Sequence, residues 1–115
     1  MTVQEAIAQA DSLMHNTYSD SRKRQWLAAV DGMIRQQIIA THEGSEELPS
    51  EQESLLACAP YDALYLHYLQ AQMHYHNAEF DRFNNANAMF QAAFDSFRNY
   101  YNRTHAPLGA AVRYF

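Results

Sequence analysis

Residues Tyr61–Thr104 read YDALYLHYLQAQMHYHNAEFDRFNNANAMFQAAFDSFRNYYNRT, and this stretch decides the fold. It holds no Gly or Pro and carries most of the aromatic residues of the chain. As one unbroken helix, at about 1.5 Å per residue, it would make a rod about 65 Å long. A chain of 115 residues is too small to cover such a rod. Asn and Asp favour local turns over helix interiors, so the cluster Asn77–Asn85 predicts a fold-back and two antiparallel helices. The expected class is all-α: a small bundle of about four helices, with a long antiparallel hairpin over 61–104 and an acidic loop over 43–60.

The first arm of the hairpin starts after Pro60 and is apolar on most sides, through Leu64, Tyr65, Leu66, Tyr68, Leu69, Ala71, Met73 and Tyr75. Its one continuous polar stripe is narrow: His67, Gln70, His74 and Asn77. A helix that is apolar nearly all round is buried on several sides. In so small a domain this predicts burial against other copies as well as against its own chain. Tyrosine suits both roles, because the ring buries area while the hydroxyl reaches a polar partner. The second arm is amphipathic. Phe83, Ala86, Phe90, Ala93, Phe94, Phe97 and Tyr101 form one face, and Asn84, Gln91, Asp95, Arg98 and Asn102 the other.

Upstream lie two more helices. Thr2 and Glu5 make a capping box for a short helix running to Met14, with Val3, Ala6, Ile7, Ala10, Leu13 and Met14 on one face. Ser19 or Asp20 caps a second helix expected to run to about His42 and stop at Gly44, with Trp26, Leu27, Val30, Met33, Ile34 and Ile38 inward. Gly32 costs this helix about 1 kcal/mol relative to Ala, which predicts a close helix contact there. Arg22, Lys23 and Arg24 sit in its first turn, where the helix dipole disfavours positive charge. Such a cluster is either solvated or paired with the acidic segment of a neighbouring copy.

Charge is distributed unevenly. There are 13 acidic and 8 basic residues, and the whole excess of −5 falls within 41–60, as Glu43, Glu46, Glu47, Glu51 and Glu53. That segment is either a solvated loop or a deliberately negative surface. An acidic chain lacks the basic stripe of a nucleic-acid binder. Apolar runs are too short for a membrane span, and MTVQEAIAQAD is not patterned as a signal peptide. A single cysteine, Cys58, forms no internal disulfide, which makes a reducing cytosolic site of synthesis the default. It reads as a small buried hydrophobe.

Six histidines raise the question of metal. His67 and His74 share a face but are separated by about 10 Å of helical rise, too far to bind one ion. His76 and Glu79, three apart, offer at most two ligands, and the inward glutamates of a carboxylate metal bundle are missing. No phosphate loop, nucleophile elbow or catalytic carboxylate pair is present, so neither an enzyme nor a cofactor is expected. Asn102-Arg103-Thr104 fits the glycosylation pattern, which means nothing without a secretory signal.

The run from Leu55 to Pro107 contains PYD-x-LY-x-x-YL, RFNNA-x-AMF and F-x-x-YYNRTH-x-P. It resembles the head–tail connector, or head-completion, proteins of tailed bacteriophages, as do TVQEAIAQADSL and the Trp26 helix. These are packing motifs, specific in combination and weak singly. The resemblance implies one α-helical connector domain over 1–107 with a C-terminal tail over 108–115. It further implies a virion protein of the capsid vertex or neck, assembled as a ring, commonly a dodecamer. The ring would sit between the portal protein and the tail-side stopper or tail adaptor, and extend the DNA channel.

On that basis Glu46, Glu47, Glu51 and Glu53 are expected to line the channel, since an acidic lumen repels the DNA backbone and binds no sequence. Tyr61, Tyr65, Tyr68 and Tyr75, with Arg22, Lys23 and Arg24, are the expected subunit interface. Leu108, Val112, Tyr114 and Phe115 are the expected portal contacts. The rival from the residues alone is a cytosolic helical interaction module unrelated to virions. Self-association into a ring, alone or on a portal, separates the two.

Overall fold

The computed structural model describes residues 1–41 and 54–105, and these form an all-helical bundle. The helices are α1 (Val3–Leu13), α2 (Asp20–Gln37), α3 (Ala63–His76) and α4 (Phe80–Thr104), with a 3-10 turn at Ile39–Thr41. The hairpin expected over 61–104 is present as α3 and α4, joined at Asn77–Glu79. The turn is tighter than the Asn cluster suggested: Ala78 adopts a left-handed backbone with φ 62°, and the chain re-enters helix at Phe80. Asn84 and Asn85 lie inside α4 as exposed side chains.

Each element follows from local chemistry. Thr2 and Glu5 form the reciprocal capping box, at 2.9 and 3.1 Å. The Ser19 hydroxyl accepts from the Arg22 amide to start α2. That helix ends before Gly44 because Ile38 and Ile39 are both buried. The Thr41 amide and hydroxyl both donate to the Ile38 carbonyl, and this tighter winding carries two adjacent isoleucines inward. Gly32 differs from expectation too. Among the described residues nothing lies within 4 Å of where its Cβ would sit, so no close helix contact explains it.

The core runs along α3. Leu64, Tyr65, Leu69 and Met73 meet Phe90, Phe94 and Phe97 of α4, Leu27, Val30, Ile34 and Ile38 of α2, and Ala6, Ile7 and Ala10 of α1. Leu64, Tyr65, Leu69, Ala71 and Met73 of α3 are buried by the chain's own helices, the other residues from Tyr61 to His74 are half-buried, and Tyr75 and His76 are exposed. At about 37 Å, α4 is nearly twice as long as the 21 Å or so of α3. Its C-terminal turns extend past the start of α3 and pack on what precedes it, with Tyr61 stacked on Tyr100 at 4.8 Å. That preceding segment includes a cis Ala59–Pro60 peptide.

Candidate functional site

Of the seven candidate interface residues, Lys23 and Tyr65 are buried within the chain, Tyr61 and Tyr68 are half-buried, and Arg22, Arg24 and Tyr75 are exposed. Lys23 is buried, and its Nζ lies 2.5 Å from Asp11 Oδ1 on α1. The Arg22 guanidinium sits 5.7 Å from the Trp26 ring centroid, and Arg24 donates to Gln4 Oε1 at 2.8 Å. The expectation of a solvated basic cluster, or one held by a neighbouring copy, is therefore corrected for Lys23. A long stem can follow apolar surface with its ammonium paired at the end, and here α1 supplies the carboxylate.

Among the tyrosines, Tyr65 is also corrected: it is wholly enclosed by its own chain. Its hydroxyl donates to Asp31 Oδ1 at 2.6 Å and accepts from the Ala57 amide at 2.7 Å. Burial, reinforced by the Asp31 charge, pushes this hydroxyl far above its ordinary pKa, which keeps it a donor. Asp31 in turn receives the Leu56 amide at 3.3 Å. Burial raises its carboxyl above the ordinary range, against these hydrogen bonds. Sequence reading did not single out Asp31. The signal was present, since Leu27, Asp31, Ile34 and Ile38 fall at three- and four-residue steps and put a carboxylate on the inward stripe. Tyr61 stacks on Tyr100, and Tyr68 packs on Phe90 at 5.1 Å. Burial raises the Tyr68 hydroxyl as well.

Tyr75 is different. It is 52% exposed, and Phe80 beside it is 57% exposed. The Tyr75 ring lies 6.1 Å from Phe80, 5.3 Å from Phe83 and 5.4 Å from His76. His76 stacks on Trp26 at 5.5 Å, Tyr18 meets Trp26 edge-on at 5.5 Å, and the Tyr18 hydroxyl donates to Asn77 Oδ1. The hairpin tip thus carries an aromatic ridge with an open outer side and a packed inner side. A carboxylate clasp fixes its turn: Glu79 Oε1 lies 2.9 Å from His74 Nδ1, and Glu79 Oε2 lies 3.4 Å from Arg82. Chiefly through His74, the Glu79 carboxyl falls below its ordinary value. The His76–Glu79 pairing considered from spacing is replaced by His74–Glu79, because the turn swings Glu79 back over α3. Met89 on α4 and Leu13 at the end of α1 are the other large apolar side chains exposed among the described residues.

At the opposite end a cleft of about 220 Å³ opens between Ile39, Leu56 and Cys58 on one side and Phe97, Tyr100 and Tyr101 on the other. Cys58 is exposed there, contrary to the buried position expected for it. His105 lines the same cleft, with its ring flat against Tyr101 at 3.8 Å. Among the described residues no three His, Cys, Asp or Glu side chains group as metal ligands, and no helix is long and apolar enough to cross a membrane. The channel candidates Glu46, Glu47, Glu51 and Glu53 and the portal candidates Leu108, Val112, Tyr114 and Phe115 lie outside the described residues.

No protein-family model, curated protein or solved structure matches the chain.

Proposed function

We propose that this chain is a structural subunit of a tailed-phage head–tail connector. It assembles as a ring on the portal, extends the DNA channel toward the tail-side stopper or adaptor, and catalyses nothing. The observation that carries the proposal is the exposed aromatic ridge at the hairpin tip. Tyr75 and Phe80, beside the half-buried Phe83, expose large apolar side chains where the bundle does not need them for its own core, and apolar surface of this kind marks a docking site. The phage-like motifs of residues 55–107 and the single acidic segment over 41–60 support the same reading. In the ring the acidic segment faces the lumen, where it repels passing DNA.

Native mass spectrometry and negative-stain imaging of the purified chain, with and without the portal protein of its phage, test the proposal. The expected result is a closed ring on the portal, whether or not the free subunit is monomeric. A chain that neither self-associates nor binds the portal at micromolar concentration overturns it.

A further inference from the structure

Residues 54–58 cross the bundle without helical hydrogen bonds of their own, and their anchors lie on three parts of the chain: the N-terminal residues before α1, α2 and α3. Ser54 bridges to Thr2, and the Leu55 amide donates to the Met1 carbonyl at 3.0 Å. The Leu56 amide reaches Asp31 on α2, and the Ala57 amide reaches Tyr65 on α3. Of this segment only Leu55 and Ala57 are buried, while Ser54 and Cys58 are exposed.

We propose that residues 54–58 form a strap that opens and recloses as one unit over an intact helical bundle, with the Tyr65 hydroxyl as its latch. Opening is inexpensive for a specific reason. When the strap lifts, Tyr65 keeps Asp31 as its acceptor, and the freed Ala57 and Leu56 amides pass to water. Neither partner is stranded, and the apolar surface uncovered is confined to Leu55, Ala57 and the half-buried Leu56. Segments with few apolar contacts and amides that water can reach belong to the low-stability end of a fold. In sequence the strap directly follows the segment that carries the five glutamates.

Native-state hydrogen exchange on the full chain tests this. After correction for intrinsic rates, the Leu55, Leu56 and Ala57 amides should share one opening and exchange at least tenfold faster than those of Leu69 and Phe94. Tyr65→Phe leaves the Ala57 amide buried without an acceptor in the closed form, and should speed all three strap amides together by about ten- to a hundredfold. Phe90→Leu weakens the helical core away from the strap. It should speed Leu69 and Phe94 several-fold and leave the strap amides unchanged, because Phe90 stays packed in the open form. Strap amides protected as strongly as the helices, or slowed and speeded in step with them in Phe90→Leu, overturn the proposal. So does a Tyr65→Phe effect confined to Ala57. If Tyr65→Phe does not fold, the wild-type and Phe90→Leu comparison decides.

Discussion

Removing the carboxylate of Asp11 should destabilise the protein more than removing the ammonium of Lys23. The two groups form one ion pair, 2.5 Å between Nζ and Oδ1, but in unequal settings. Lys23 is 3% exposed and Asp11 42%. Asp11→Asn therefore leaves a charge inside the bundle, whereas Lys23→Met leaves a charge that water already reaches. A hydrogen bond between charged groups contributes about 1.5–3 kcal/mol. Exposure of Asp11 screens part of that, so about 1–2 kcal/mol is expected for Asp11→Asn. Lys23→Met keeps the buried stem volume and should cost less than about 0.5 kcal/mol, because a well-packed apolar residue often replaces a buried ion without loss.

With a urea m-value of about 1.5 kcal/mol/M, the Asp11→Asn midpoint falls by about 1 M and that of Lys23→Met by a third of this or less. Burial raises the Asp11 carboxyl, but the hydrogen bonds from Lys23 and Asn16 outweigh it and hold the group below its ordinary value. A depressed acid adds stability above its unfolded pKa and loses it as pH falls through the folded one. The gap between wild type and Asp11→Asn should accordingly close below about pH 4. Equal costs for the two variants, or a larger cost for Lys23→Met, would show that the burial difference does not govern the pair.

Gly32→Ala on the open face of α2 should stabilise by about 1 kcal/mol in the same denaturation assay, and any loss would reveal a neighbour at that position. Ala78→Gly relieves a left-handed residue at the hairpin turn, and after the added unfolded-chain entropy it should gain about 0.5 kcal/mol. For Asp31 the pH sign is opposite to that of Asp11. Its carboxyl is raised by burial, so the stability it contributes is present at low pH and lost as pH rises through the folded value. Asp31→Asn should remove that decline from the stability–pH profile above about pH 4. Phe80→Ser with Tyr75→Ser should leave the melting temperature within a few degrees but abolish ring formation on the portal, read by native mass spectrometry.

Parts of this fold were legible because they are local. The inward face of α4, from Phe83 to Tyr101, is buried or half-buried throughout, since a 25-residue helix has room to express its period. The Thr2–Glu5 box is a contact three residues apart and depends on nothing else. What escaped was decided by distant partners. Asp31 meets Tyr65 across 34 positions, and Lys23 meets Asp11 on another helix. Neither pair has a spacing that a one-dimensional pattern can encode. The nearly all-apolar α3 was read correctly as buried on several sides. The chain's own helices bury Leu64, Tyr65, Leu69, Ala71 and Met73 and leave the rest of α3 half-buried or exposed.

The burial pattern of α3 makes a statement about tolerated variation. A helix packed on one side accepts polar substitutions at every third or fourth place, and α4 should show that rhythm in a saturation mutagenesis scan for folded protein. Along α3 the rhythm should be narrower. Charged replacements should fail at Leu64, Tyr65, Leu69, Ala71 and Met73 and be better tolerated on the half-buried stripe of His67, Gln70 and His74. The most constrained stretch of the chain would then be the one with the thinnest band of tolerated positions.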